Sequence, residues 1–374
     1  MIYPKPASRR RLWPVLVPIV LVVALAIIWT GLWFYAASAA EATIAGWRER
    51  EAKSGRVYSC AEQTIGGYPF RFEMRCSDPG MELHGSEPPL ALKAADLLVA
   101  LQIYQPTLLI SEFTGPLTIA EPGQPPGYIA NWTLGQSSVR GTPAAPERLS
   151  IAVDSPTVAR VDAGANATVL KAARIELHGR IAEGSAAGNP AIELVLRLGS
   201  AAAPELHPLT AQPLDGEIVA TLRGLADFSP KPWPVRFREI QARGGSIEIA
   251  KARLQQGEVI AVSAGTLRLT ERGGLDGQLN VTVVGIDKVL KTLDIDRIMS
   301  EGKIGSAIGR LDRLMPGLGQ IARQNAAPGI AIGLGAIGQN TTLDGRPAVT
   351  VPLRFADGQV LLGPFPVGRT PPLF

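Results

Sequence analysis

The chain is poor in the residues that build catalytic and metal centres. Its 374 residues include two cysteines and three histidines. His84, His178 and His207 stand far apart, none at ligand spacing from another, so a His/Cys metal site is not expected. There is no G-x-S-x-G elbow and no H-E-x-x-H pair. Gly333, Gly335 and Gly338 satisfy G-x-G-x-x-G, but Gln339-Asn340-Thr341-Thr342 follows them where a dinucleotide fold needs a helix. Gly302-Lys303 lacks the spacing and the Ser/Thr of a phosphate-binding loop. Asp294, Asp296 and Glu301 read as capping and solvating acids rather than a catalytic pair. No enzyme and no cofactor is expected. Aromatic residues are scarce at 6%, so Ala, Val, Ile and Leu carry the 46% apolar content.

Acid is missing from the first 40 residues altogether, while Lys5, Arg9, Arg10 and Arg11 lie there. Without those four of its 37 basic residues the chain has 33 basic against 33 acidic. The formal net charge of +4 is therefore a topology signal and not a nucleic-acid stripe. Trp13 to Tyr35 carries no charge and is long enough to cross a hydrocarbon core of roughly 30 Å. Trp13 marks one end; Trp29, Trp33 and Tyr35 read as an aromatic belt at the other. The basic cluster before the span keeps residues 1–12 in the cytoplasm and sends residue 40 onward out. A cleaved signal peptide is the competing reading, because Ala37-Ser38-Ala39 resembles a small-residue cleavage site. Both readings export the body.

Residues 36–55 are rich in helix formers and should continue the anchor as an exposed stalk that stops at Gly55. Cys60 and Cys76, in an oxidising compartment, are expected to form a disulfide. Arg56–Glu62 and Tyr68–Cys76 read as strands around a Gly66-Gly67 turn. An apolar passage fills 88–112, and Pro- and Gly-rich linkers follow at 115–127 and 141–146.

From about residue 147 the chain alternates with period two. Ile192, Leu194 and Leu196 fall opposite Glu193 and Arg197; Ile247 and Ile249 alternate with Ser246 and Glu248. Leu267 and Leu269 alternate with Thr266 and Arg268; Leu279, Val281 and Val283 alternate with Gln278, Asn280 and Thr282. Successive side chains leave a pleat on opposite sides, so one face is oily and the other wet. That is an antiparallel pattern. Asp-Gly pairs at 215–216, 276–277, 344–345 and 357–358 suit tight hairpin turns. Residues 287–325 break the rhythm with helical spacing from Asp287 onward, and are expected to be a helical insertion over the end of the sheet. Residues 347–362 return to strands before a Pro-rich tail. The sequons at Asn131, Asn166, Asn280 and Asn340 read as chance, since the anchor looks bacterial. The expected architecture is mainly β with some α: a transmembrane helix at 13–35, then an extracytoplasmic body at 56–374 built on a large, curved antiparallel meander.

Trp47, Tyr58-Ser59-Cys60-Ala61-Glu62, Gly66-Gly67-Tyr68-Pro69-Phe70-Arg71-Phe72 and Cys76 resemble an uncharacterised alphaproteobacterial family, domain of unknown function 2125. So does the tail, Leu343-Asp344-Gly345-Arg346 with Val351-Pro352-Leu353-Arg354-Phe355-Ala356-Asp357-Gly358 and Leu362-Gly363-Pro364-Phe365-Pro366. The resemblance spans roughly 10–370 and implies an envelope location but no chemistry. Residues 244–283 are similar, more weakly, to the strand repeats of AsmA-like envelope proteins, which are linked to lipid homeostasis.

These readings converge on a single-pass inner-membrane protein with its body in the periplasm. Ile192, Leu194, Leu196, Ile247, Ile249, Leu267, Leu269, Leu279, Val281 and Val283 are the candidate walls of a groove for phospholipid or another lipid. They could equally be core between two packed sheets. The alternative function is a non-enzymatic scaffold that binds other envelope proteins through exposed strand edges.

Overall fold

The computed structural model describes residues 13–86, 88–142, 145–161, 166–186, 188–206, 208–229, 231–286, 288, 338–362 and 365–374. The expected helical insertion at 287–325, and His207 with it, lies outside the described residues apart from Lys288.

One helix, α1 (Trp13–Lys53), carries both the apolar span and the stalk. It is long and apolar enough to cross a membrane, which makes it a candidate single-pass anchor. It ends where Gly55 takes a φ of 77°, a left-handed conformation that closes a helix at little steric cost.

The chain then runs as a meander that is folded lengthwise. β1 (Arg56–Ser59) turns a corner at Cys60-Ala61 into β2 (Glu62–Gly66). β3 (Arg71–Ser77) passes through Asp78-Pro79 into β4 (Gly80–Leu83). β5 (Leu90–Lys93) continues through Ala94-Ala95 into β6 (Asp96–Gln102), and β7 (Gln105–Thr114) through Gly115-Pro116 into β8 (Leu117–Ala120). β9 (Tyr128–Asn131), β10 (Leu134–Thr142), β11 (Ala145–Asp154) and β12 (Thr157–Val161) repeat the pattern at Trp132-Thr133 and Ser155-Pro156. β13 (Asn166–Lys171) bends at Ala172-Ala173 into β14 (Arg174–Ile181).

The corners align, so the described strands form two antiparallel sheets that share a crease. The smaller has seven strands in the order β1-β4-β5-β8-β9-β12-β13. The larger begins β2-β3-β6-β7-β10-β11-β14, the same order seen from the other side of the corners. Hydrogen bonds run on through the crease: Ala61 N to Ser77 O at 3.0 Å, Asp78 N to Ala95 O at 2.9 Å, Ala95 N to Thr114 O at 3.1 Å and Ser155 N to Ala173 O at 2.8 Å. Asp78 and Ser155 sit there at φ values of 47° and 49°. Short polar side chains tolerate that left-handed conformation best after glycine, and a proline follows each. The single curved sheet expected from the sequence is therefore two sheets. The linkers expected at 115–127 and 141–146 are a corner with a short strand and a hairpin end.

The larger sheet continues alone through β15 (Ile192–Ala201), β16 (Leu214–Leu222), β17 (Ser246–Gln256), β18 (Val259–Leu269) and β19 (Leu275–Val284). β20 (Gln339–Leu343), β21 (Arg346–Ala356), β22 (Gln359–Leu362) and β23 (Phe365–Arg369) complete it, with no closed barrel. Two of the expected Asp-Gly turns form: Asp344-Gly345 and Asp357-Gly358 have positive φ throughout. The other two are corrected. Asp215-Gly216 lies inside β16, where a Gly216 side chain would press on Leu254 and Leu198. Asp276-Gly277 lies inside β19, with the Thr266 backbone where a Gly277 Cβ would stand. Here glycine provides close packing instead of a turn. The Pro-rich tail is also corrected, since β23 forms at the sheet edge, a position that tolerates Pro366.

A helix missed in the sequence, α2 (Trp233–Ala242), crosses between β16 and β17. Prolines at its start favour the first turn, and Gly245 N returns to Ile240 O at 2.8 Å. Ile240, Leu225 and Leu269 form a buried cluster against Ile192, Leu222, Phe237, Leu373 and Phe374.

The Cys60–Cys76 disulfide is present and ties the first corner to β3. Closing a loop of that separation contributes about 3 kcal/mol in the chain-entropy model. Cys60→Ser in the full-length protein should lower unfolding stability by about that amount in a denaturant titration, and reductant should add nothing further to the variant. A variant as stable as the oxidised parent would show that the crease holds without this link.

Candidate functional site

Strand register decides whether the sequence-derived apolar residues share a surface, because directly opposed residues in an antiparallel ladder point to one face. They do share one. One row runs Ile192–Leu222–Ile247–Leu267. A second runs Leu194–Ala220–Ile249–Gly265–Leu279–Leu353. A third runs Leu196–Ile218–Ala252–Ser263–Val281–Val351. Val283 lies one row beyond, opposite Ala261, and Leu269 pairs with Leu275. All ten candidates stand on the same side of the larger sheet. Ile151 opposite Leu177, and Leu177 opposite Leu196, carry the third row back toward the crease. The smaller sheet has its own oily row, Met81–Leu92–Ile119–Tyr128.

The ten are not equally covered. Leu267, Leu269 and Leu279 are buried, the first and last packing with Phe355 against Ile247, Ile249 and Val281. Ile192, Leu194, Leu196, Ile247, Ile249, Val281 and Val283 are half-buried. Among the described residues, α2 and the C-terminal Leu373-Phe374 cover the end of this face near Ile192 and Leu269. Ser263 contributes a buried hydroxyl to the third row that has no hydrogen-bond partner among the described residues.

The reverse face carries a lattice of ion pairs across β11 and β14–β17, while farther along it Ile260, Val284 and Ala348 form a buried apolar cluster. Arg174 reaches Asp154 and Glu176; Arg197 reaches Glu217 at 3.2 Å and Lys251 reaches it at 2.8 Å. The Lys251 ammonium, and then the Arg197 guanidinium, hold the Glu217 carboxyl below its ordinary range. Arg174 does the same to Glu176. Exposed pairs of this kind add little stability each, but they keep one face wet. Among the described residues no group of three His, Cys, Asp or Glu is placed to hold a metal. His178 hydrogen-bonds Ser150 at 3.0 Å and His84 faces Glu82 at 3.3 Å.

A second feature lies at the other end of the sheet. α1 packs against β1, β2 and the turn after β2. Trp33, expected in an aromatic belt, is 5% exposed. It stacks on Phe72 with ring centres 5.4 Å apart and meets Tyr68 edge-on at 5.5 Å. Trp47 packs on Tyr58 at 4.7 Å and Arg48 donates to Gln63 at 2.7 Å. The helix thereby shields the edge strands that would otherwise offer unpaired backbone.

The fold and face together define a β-meander body with a continuous aliphatic side, carried on an apolar helix. The chain belongs to the family described as an uncharacterised protein conserved in bacteria (DUF2125), whose model matches residues 33–371. No curated protein matches it.

α2 is tied by charge to the loop that precedes it. The buried Arg236 donates to Asp227 O at 3.0 Å, Asp227 Oδ1 at 3.1 Å and Glu239 Oε1 at 2.9 Å. Lys231 bridges Asp227 and Glu239 at 2.9 and 2.6 Å. The Ser229 hydroxyl, then Lys231, hold the Asp227 carboxyl well below its ordinary range. Burial pushes Glu239 up, but Lys231, the Ala226 amide and Arg236 outweigh it and leave it lowered. Groups whose pKa falls on folding stabilise fully above the unfolded value and lose that contribution as pH falls through the folded one. Amide exchange in α2, corrected for its intrinsic pH dependence, should stay protected from pH 7 to about 5 and rise below about pH 4. Protection lost on going up from pH 5 to 7 would contradict this assignment.

Proposed function

We propose that the protein is a membrane-anchored cell-envelope protein, with its body in the periplasm, that holds lipid acyl chains on the aliphatic face of the larger sheet. The observation that carries this is the cross-strand alignment of ten aliphatic residues, seven of them only partly buried. A contiguous apolar surface of this kind marks a binding site on a folded protein. An acyl chain matches it: the rows are aliphatic, unbranched in direction, and supply no aromatic clamp or charge.

The continuity of α1 favours an uncleaved anchor. Removal after Ala39 would strip Trp33 from Phe72 and Tyr68, leaving buried aromatic surface open. The basic residues before the span favour a cytoplasmic N-terminus. The role we propose is a non-enzymatic one, in keeping with the pairing of Arg174, Glu176, Arg197, Glu217 and Lys251 with one another on the wet face.

A photoreactive amino acid placed in cells tests this. At Ile249 it should yield a lipid adduct; at Glu248, the adjacent residue on the opposite face, it should not. Adducts to a single protein at Ile249 would favour the scaffold alternative, and equal lipid labelling at both positions would remove the face from the argument.

A further inference from the structure

We infer that the turns Gly67–Phe70 and Ile103–Tyr104 form an interfacial foot that rests in the headgroup region of the bilayer crossed by α1, so that this end of the larger sheet abuts the membrane. The inference rests on the anchor reading but not on lipid holding by the aliphatic face.

Depth along α1 is the first argument. A span that starts at Trp13 has covered roughly 30 Å by about Leu32. The β2–β3 turn is bonded to the helix at that level: Trp29 Nε1 donates to Pro69 O at 3.1 Å, and Thr30 Oγ1 meets the Tyr68 hydroxyl at 2.7 Å. Trp29 lies six residues before Tyr35, so Pro69 sits about 9 Å on the membrane side of the end of the uncharged stretch. A turn held there cannot stand clear of the bilayer if the helix crosses it.

Chemistry is the second argument. Phe70 is 66% exposed and Tyr104 70% exposed, and Ile103 N to Phe70 O at 3.1 Å joins their turns. Two aromatic side chains at adjacent turn tips, turned out from the fold, suit a headgroup environment. Several carbonyls of this turn are also bonded within the fold. Gly67 O accepts from Arg71 N at 3.1 Å, and Arg71 O accepts from Trp33 Nε1 at 3.3 Å. With the bonds to Pro69 and Phe70, three carbonyls of the turn and that of Arg71 need no water, which lowers the cost of irregular backbone near lipid.

The test uses the full chain in phospholipid vesicles with an environment-sensitive nitrobenzoxadiazole probe on Tyr104→Cys, Tyr128→Cys or Val22→Cys. Tyr128 starts a strand of the smaller sheet beyond the crease, and Val22 lies mid-span. Nitroxide-labelled lipid should quench the probes at 22 and 104, with blue-shifted emission at both, and leave 128 unaffected. Quenching at 22 with a solvent-like probe at 104 overturns the foot while the anchor stands. Loss of quenching at both overturns the anchor and the foot together. Equal quenching at 104 and 128 shows the body lying flat, which also overturns it.

Discussion

Strand alternation is the constraint from which the rest follows. A pleated strand must send neighbouring side chains to opposite faces, so a meander written as aliphatic-polar-aliphatic acquires one oily side. Here that side is continuous across β15 to β21, and the wet side is braced by Arg174, Arg197, Glu217 and Lys251. A bulge in β17 keeps the rows in phase: one extra residue at Ala250-Lys251 shifts the register against both β16 and β18, so Ala252 and Leu254 return to the oily face. A shift of one residue without that correction would have put Lys251 among the leucines.

The crease adds a second design principle. From β1 to β14 each long strand is broken at two residues so that one meander serves two sheets. This places the Cys60–Cys76 link, the corner residues Asp78 and Ser155, and the hydrogen bonds through Ala95 and Ala173 on one line. The helix α1 then runs past the first strand of both sheets, touching Phe72 and Gln63 in one and Tyr58 in the other. Anchor and body meet through packed aromatic rings and not through a linker, so the orientation of the body on α1 is set by side-chain packing.

Much of this was legible in the sequence. The uncharged run before Glu41 marked the helix, and period two marked the strands and the aliphatic set, because burial on one face imposes that pattern directly. The crease was not legible. Ala94-Ala95 carries no turn signal, and the apolar phase changes there from Leu90 and Leu92 to Leu97, Val99 and Leu101, so 88–112 reads as an undivided apolar passage. Asp215-Gly216 and Asp276-Gly277 have turn chemistry but serve close packing, which only the neighbouring strands decide. α2 was passed over although Pro232-Trp233-Pro234, Phe237 with Ile240, and Gly244-Gly245 carried its start, its apolar face and its end. Trp33 fitted a membrane belt by position; its partner Phe72 lies 39 residues away, a distance that composition cannot bridge.

The account stands on the aliphatic face being occupied by acyl chains. Native mass spectrometry of the full-length protein released from detergent measures that directly. The account predicts phospholipid retained by the parent in addition to whatever α1 carries, and lost from a Leu196→Glu, Ile249→Glu variant that keeps its disulfide and strand content. A parent that flies with no more lipid than that variant would contradict it.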